Sequence, residues 1–434
     1  MDEFTIGVVG VVALIFLVFL GVRVFIAAAA VGLVGMVAMI GWDAGAGMVG
    51  TIPHSKSVTY TLSVLPMFIL IGFLAFHAGL TEKLFDAATK WLGWVPGGLA
   101  VATVMAATGF AAVSGASTAT AAVFSRVAVP DMLKAGYDKR LAAGVVAAGG
   151  TLATLIPPSA ILVIYAIIVE ESVGTLLVAG FLPGLVSALV YMSLIVGMAK
   201  LNPNLGRPIR GFTWTQRWKS VPGTFPIIAV VLIIFSAMYF GWATPTEAGA
   251  LGAFVVFGLA MFHGMRWHGL RESLLESAKL TVMIFSIIWG VLIFVRFLGF
   301  AGLPEAFAKW VVSLDVPPIV IIICILLFYV VLGMFMDAIG MLLLTLPVVY
   351  PAVIALGYDP IWFGIVVVKM AEICLITPPI GLNCFVVNGV RPDIPLTTVF
   401  RGIMPFFIAD VVTVGLFLAF PDIILWVPRL MQGG

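Results

Sequence analysis

Three short stretches carry the oxygen atoms that could do chemistry in this chain. Val113-Ser114-Gly115-Ala116-Ser117-Thr118-Ala119-Thr120 sets four hydroxyl residues among small ones. Gly149-Gly150-Thr151-x-x-Thr154-x-x-Pro157-Pro158-Ser159 joins hydroxyls to a double proline, and Thr377-Pro378-Pro379-Ile380-Gly381-Leu382-Asn383 repeats that combination. A proline pair removes two N–H donors and keeps the preceding residue out of the α conformation. A helix should break there and free its carbonyls. Hydroxyls and free carbonyls make a hard oxygen shell, which suits Na⁺ by the logic that gives Ca²⁺ and Mg²⁺ their oxygen ligands. Small and hydroxylated residues also line ordinary helix contacts in bilayers, so for 113–120 alone both readings stand. Two proline breaks at matching positions favour a pair of binding sites over two simple kinks.

Other polar residues interrupt apolar runs. Asp337, followed by Gly340 and Thr345, lies near the turn of a long apolar run. It either senses a cation or proton, or is a solvated residue at the mouth of that turn. Lys369 and Glu372 are three apart on one helix, which permits an ion pair, and read as a mutually neutralised structural pair. Arg296 near a span end reads as snorkelling. Glu247 suits the first turn of a helix or a functional role. Asp410 sits in an apolar run, and the sequence assigns it no partner. An enzyme would need a nucleophile–base set or metal ligands within reach of one another. The histidines (His54, His77, His263, His268) are scattered, and Cys324, Cys374 and Cys384 form no C-x-x-C pair. The expectation is a non-enzyme with no cofactor beyond a coupling ion.

The elements that must position these residues are membrane spans. Across 434 residues, 62% are hydrophobic and only 10% charged, against about 25% charged in an average soluble domain. Lipid must be the solvent, and a net charge of +2 gives no reason to expect a nucleic-acid partner. The start, Met1-Asp2-Glu3, lacks the basic region of a signal peptide, so 4–22 is kept as a span. Further spans are expected at 24–41, 58–78, 141–168, 174–198, 222–241, 246–263, 280–299, 361–390 and 398–426. Segments 80–93 and 303–313 mix charges with Leu, Phe and Trp, as interfacial amphipathic helices do. The runs 95–129 and 317–351 are too long for one crossing of about 20 residues. Lysines flank 95–129 on both sides, and cytoplasmic loops carry the Lys and Arg excess, so this run must enter and return as a re-entrant hairpin. The cations of 23, 83–90, 134–140, 200–219, 266–279 and 391–401 then fall inside. Only Lys56, Lys309 and Arg429 clearly fall outside, and both termini are expected outside.

The two halves match. Gly21 and Gly32 pair with Gly241 and Gly252, Ala78-Gly79-Leu80-x-Glu82 with Ala301-Gly302-Leu303-x-Glu305, Gly136-Tyr137-Asp138 with Gly357-Tyr358-Asp359, Pro157-Pro158 with Pro378-Pro379, and Gly180-x-x-Pro183 with Gly402-x-x-Pro405, always about 220 positions apart. Each half holds five crossings and one hairpin. Five is odd, so the second half is inverted, which is a transporter signature with binding near the midplane. The expected class is an all-α polytopic membrane protein. Its divisions are 1–199 (first repeat, hairpin 95–129), 200–221 (cytoplasmic connector) and 222–434 (second repeat, hairpin 317–351).

These motifs, together with Leu65-Pro66-Met67-Phe68 and Thr244-Pro245-Thr246-Glu247-Ala248, resemble the large membrane subunit of tripartite ATP-independent periplasmic (TRAP) transporters over essentially the whole chain. The family's hairpin tip usually has Ser where Ala116 stands here, which leaves a backbone ligand and removes one hydroxyl. The resemblance implies an elevator-type secondary transporter in the bacterial inner membrane, driven by a sodium gradient. It implies a periplasmic binding protein, a small membrane subunit and an organic-acid substrate. It implies one Na⁺ site from Ser114, Gly115, Ser117 and Thr118 with Gly150, Thr151, Thr154 and Pro157. A second would come from Asp337, Gly340, Thr345, Thr377, Gly381 and Asn383. Substrate would lie between the hairpin tips, near Thr120, Pro158, Ser159, Pro379 and Asn383. The competing reading is a stand-alone cation-coupled anion carrier that needs no binding protein.

Overall fold

Apolar sequence in lipid must satisfy its backbone internally, and helices do so within one segment. In the computed structural model, which describes residues 2–432, the chain forms twenty α-helices and two short 3₁₀ turns. The first half comprises α1 (Glu3–Phe19), α2 (Val24–Ile40), α3 (Trp42–Ser57), α4 (Val64–His77), α5 (Leu80–Leu92), α6 (Gly98–Ser114), α7 (Ser117–Lys134), α8 (Lys139–Thr151), α9 (Ala160–Val169) and α10 (Val173–Leu201). The second comprises α11 (Trp214–Tyr239), α12 (Pro245–Phe262), α13 (Trp267–Phe300), α14 (Leu303–Val312), α15 (Pro318–Gly333), α16 (Ala338–Ala355), α17 (Pro360–Cys374), α18 (Leu382–Val390), α19 (Leu396–Ala419) and α20 (Asp422–Gln432). Six of these are long and apolar enough to cross a bilayer: α10, α11, α12, α13, α16 and α19.

Both long runs fold as hairpins, α6–α7 and α15–α16. Both expected breaks occur, parting α8 from α9 and α17 from α18 at the double prolines, whose Pro–Pro bonds are cis. The amphipathic segments are α5 and α14. At the α4–α5 junction the chain bends by 69°, and Gly79 there has φ +70°, matched by Gly302 at +67° before α14. The repeated Gly-Tyr-Asp tripeptide is a turn-and-cap device. Gly136 and Gly357 take left-handed φ of +79° and +85°. Asp138 then accepts the Arg140 amide at 2.7 Å, and Asp359 accepts the amides of Ile361 and Trp362 at 2.8 and 2.9 Å.

Some boundaries differ from expectation. Residues 42–57 form helix α3, although Gly, Ser, Thr and Pro53 gave them the composition of a loop. The expected span 280–299 is the C-terminal part of a 34-residue helix starting at Trp267. The expected span 398–426 stops at Ala419, and α20 is separate because Pro421 interrupts it. The segment between α10 and α11 is docked rather than loose. Gly97 donates to Gly206 O, Asp138 to Leu205 O and Ile209 to Gly93 O, while the Tyr137 hydroxyl donates to Arg207 O at 2.9 Å. Where α18 turns into α19, Arg391 forks onto Asp393 through two 2.8 Å bonds, which holds the Asp393 carboxyl below its ordinary range. The Lys56 side chain and both chain ends lie outside the described residues.

Buried side chains form two hydrophobic cores. One surrounds the first hairpin with α5, α8, α18 and parts of α10 and α19. The other holds α2, α4, α9, α11 to α13, α17 and the second hairpin. Packing crosses between the halves: α7 lies on α8 and α18, while α16 lies on α17 and α9. Each hairpin thus rests on the broken helix of its own half and on the far arm of the other's.

Candidate functional site

The first hairpin turns at Ser114-Gly115-Ala116, where Gly115 has φ +57°. A Cβ on Gly115 would lie 2.2 Å from the Pro158 carbonyl oxygen, so the tip sits directly on the first proline break. Within the tip, the Ser114 and Thr120 hydroxyls lie 3.1 Å apart, and Thr120 donates to Ala116 O at 2.9 Å. A Cβ on Gly150 would lie 3.0 Å from Ser117 O and 3.1 Å from Asn383 Nδ2. Asn383 donates through Nδ2 to Ser117 Oγ at 2.8 Å and to Ala147 O at 3.1 Å. Its Oδ1 is buried and accepts no hydrogen bond from any described residue. Burying such an acceptor bare costs about 1–3 kcal/mol, and an oxygen-seeking cation is the kind of partner that would offset it.

This assembly corrects two assignments. Asn383 lies with the residues expected for the first site rather than the second, because α18 of the second half packs against α7 of the first. Thr151 and Thr154 do not turn their hydroxyls toward the tip. Thr151 Oγ1 lies 2.8 Å from Glu372 Oε1 and Thr154 Oγ1 3.4 Å from Oε2. Glu372 belongs to a fully buried ionic cluster. Lys369 Nζ lies 3.0 Å from Glu372 Oε1 and 2.7 Å from Asp410 Oδ1, and the Tyr191 hydroxyl donates to the same Asp410 oxygen at 2.7 Å. The expected Lys369–Glu372 pair exists, then, but as part of a triad that supplies Asp410 with its partner. Two carboxylates on one ammonium at membrane depth need such donors, since each uncompensated charge there is costly.

The other expected residues scatter. Asp337 is exposed and caps α16, accepting the Gly340 amide at 3.0 Å. Thr345 donates to the Tyr329 hydroxyl at 2.6 Å, tying α16 to α15. Thr377 bonds back to Ile373 O at 2.7 Å, and Gly381 with φ +49° starts α18. A second oxygen cluster matching the first is therefore not assembled from these side chains. Thr118 is half-buried, and Pro157, Pro158 and Ser159 are buried, with Ser159 capping α9. Pro379 is exposed. Thr120 and Ser159 face protein rather than a cavity, which removes their side chains as open substrate contacts in this conformation. Glu247 forms a capping box with Thr244, each side chain bonding the other's amide, so its role is structural. Arg296 is exposed, as expected for a snorkelling side chain. Among the described residues no group of three or more His, Cys, Asp or Glu could hold a metal ion.

Residues 9–423 match the family described as the tripartite ATP-independent periplasmic transporter, DctM component. The chain is 37% identical over 351 residues to the C4-dicarboxylate TRAP transporter large permease protein DctM of Pseudomonas aeruginosa, covering 80% of this chain and 81% of that one. It is 31% identical to the sialic acid TRAP transporter large permease protein SiaM of Vibrio cholerae, covering 86% and 87%. Among solved structures, the Alcanivorax borkumensis YdaH transporter matches with a TM-score of 0.59 at 13% identity, over 87% of this chain and 89% of that one. That likeness concerns the fold alone.

Proposed function

The chain belongs to the DctM component family of tripartite ATP-independent periplasmic transporters, and from that premise we propose that it carries a small organic acid across the bacterial inner membrane, coupled to Na⁺. It is a multi-pass transport subunit and not an enzyme. Its proposed partners are a periplasmic binding protein and a small membrane subunit. The substrate class rests on relatives named for C4-dicarboxylates and sialic acid, both carboxylates.

The observation that carries the sodium reading is the seat formed by Ser117, Gly150 and Asn383. The Ser117 hydroxyl and carbonyl of the hairpin tip lie there beside the Asn383 amide of the far half, and Asn383 Oδ1 accepts no hydrogen bond from any described residue. Na⁺ as a co-transported ion would link α7, α8 and α18. Ordering these elements seats the tip against Pro158 and completes the substrate pocket beside it. Sodium and substrate affinities are then coupled reciprocally. In this reading the hairpins and broken helices move as one body past α1, α2, α4 and α11 to α13, an elevator motion. The Lys and Arg bias supports a periplasmic position for both termini.

The test is uptake of labelled succinate and sialic acid into proteoliposomes, with and without the neighbouring binding protein, the small subunit and a Na⁺ gradient. Uptake requiring all three supports the proposal. Uptake by this chain alone establishes the stand-alone carrier instead, and uptake indifferent to Na⁺ removes the sodium seat. Ser117→Ala should raise the Na⁺ concentration for half-maximal uptake; an unchanged Na⁺ response rejects Ser117 as a ligand.

A further inference from the structure

A cleft of about 150 Å³ begins at Ser114 and Ala116 of the first hairpin tip. It follows one face of α7 past Ala119 and Ala122 to Arg126, with α4 and Glu276 of α13 as the opposite wall. The spacing 116, 119, 122, 126 is the i, i+3/i+4 repeat that places residues on one helical face. Three alanines keep that face open, and at 1.5 Å per residue Arg126 stands roughly 15 Å along the helix from Ala116. Its side chain is exposed and has no ion-pair partner among the described residues. Glu276 is already engaged, 3.1 Å from His77 Nε2. A guanidinium inside a membrane span is costly unless it faces a polar path and meets an anion. Here it faces a path leading from the tip, and no carboxylate of the described residues, Glu276 included, lies within ion-pair distance of it.

We propose that this cleft is the cytoplasmic path of the transported anion, and that Arg126 is the cationic residue that receives its carboxylate after it leaves the hairpin tip. The inference deepens the organic-acid reading and rests on it. Arg suits the task because its planar fork binds a carboxylate through two parallel N–H bonds, whereas Lys offers a point charge. Glu276, held by His77 and lining the same cleft, would repel an anion there and keep Arg126 from retaining it. The oxyanion that Arg126 meets could come from the substrate or from a lipid phosphate, and the experiment separates the two.

Sided proteoliposomes of the complete complex are loaded with labelled succinate or sialic acid, and counterflow is measured at saturating Na⁺ as internal anion is varied. For the anion that wild type moves, Arg126→Gln should raise the internal half-saturation concentration about tenfold or more. Arg126→Lys should recover part of that shift, and the Na⁺ half-saturation should stay unchanged. A wild-type complex that counterflows neither anion overturns the organic-acid reading itself, and this inference with it. Wild-type counterflow with an unshifted Arg126→Gln half-saturation overturns only the role of Arg126. A fall in maximal rate alone, reversed by raising the phosphatidylglycerol content of the vesicles, assigns Arg126 to lipid phosphate and likewise overturns it.

Discussion

Replacing Lys369 by Met should destabilise the protein more than any other single charge deletion in the membrane region. Its ammonium lies 3.0 Å from Glu372 and 2.7 Å from Asp410, and all three side chains are fully buried. At an effective dielectric of about 20, unit charges about 3 Å apart attract by roughly 5–6 kcal/mol. Much of that only offsets the desolvation already incurred. Removing one partner, however, leaves the others charged, buried and uncompensated, at a cost of about 3–5 kcal/mol. Here two carboxylates would be stranded together, with only Tyr191, Thr151 and Thr154 to donate to them. Detergent-solubilised membrane proteins commonly unfold irreversibly, so the assay is the rate of denaturation at fixed temperature. If half or all of about 4 kcal/mol falls on the unfolding step, the rate rises roughly 30- to 1,000-fold. The triple variant Lys369→Met/Glu372→Gln/Asp410→Asn removes all the charge while keeping most of the volume, and should recover most of the loss. A single variant that denatures at the wild-type rate, or a triple variant no slower than the single one, would refute the reasoning.

Other consequences are equally direct. Gly115→Ala places a Cβ 2.2 Å from the Pro158 oxygen in a left-handed residue. The strain is about 1–2 kcal/mol before any clash, so Na⁺-dependent uptake should fall on the order of tenfold or more in a protein that still purifies folded. Gly402→Ala puts its Cβ 2.0 Å from Arg140 O across the α8–α19 contact and should cost about 1–3 kcal/mol in thermal stability; wild-type stability would show that the two helices separate freely. Thr151→Val takes a 2.8 Å donor from Glu372 and should destabilise by about 1–3 kcal/mol, measured as denaturation rate. Thr244→Ala breaks the α12 capping box and should lower stability by about 1 kcal/mol with unchanged transport; lost transport would return Glu247 to the functional residues.

The local grammar of the chain was legible: double prolines as breaks, Gly-Tyr-Asp as turn and cap, and long apolar runs flanked by like charges as hairpins. Each depends on residues within a few positions of one another. Legibility failed where the deciding contact was distant. Asn383 was grouped with its neighbours Thr377 and Gly381, yet its side chain meets Ser117, 266 positions away. Thr151 and Thr154 looked like ion ligands until Glu372 proved to occupy their hydroxyls from the other half. A signal for the triad was present. Lys369, Glu372 and Asp410 are charges in apolar runs, and Asp410 called for a cation, but the sequence alone did not choose Lys369 over Arg126 or Arg296. Arg126 was passed over because a cation in a hairpin arm reads like any flanking charge until a cleft is seen beside it. Helix α3 was missed because its composition is that of a loop and its length shows only in three dimensions.

The crossing of α7 onto α18 also sets a timetable for making the protein. Ser117 emerges from the ribosome 266 residues before Asn383, which at about 5–20 residues per second is roughly 10–50 s. During that interval the Ser117 side chain lacks its Asn383 partner, while Ser114 and Thr120 pair within the tip. Until the second double proline arrives, the hairpin has only its own half, α8 and the Pro158 carbonyl, to rest on. The contact of α7 with α18 therefore forms late, and the proposed sodium seat can close only once the second broken helix has been made.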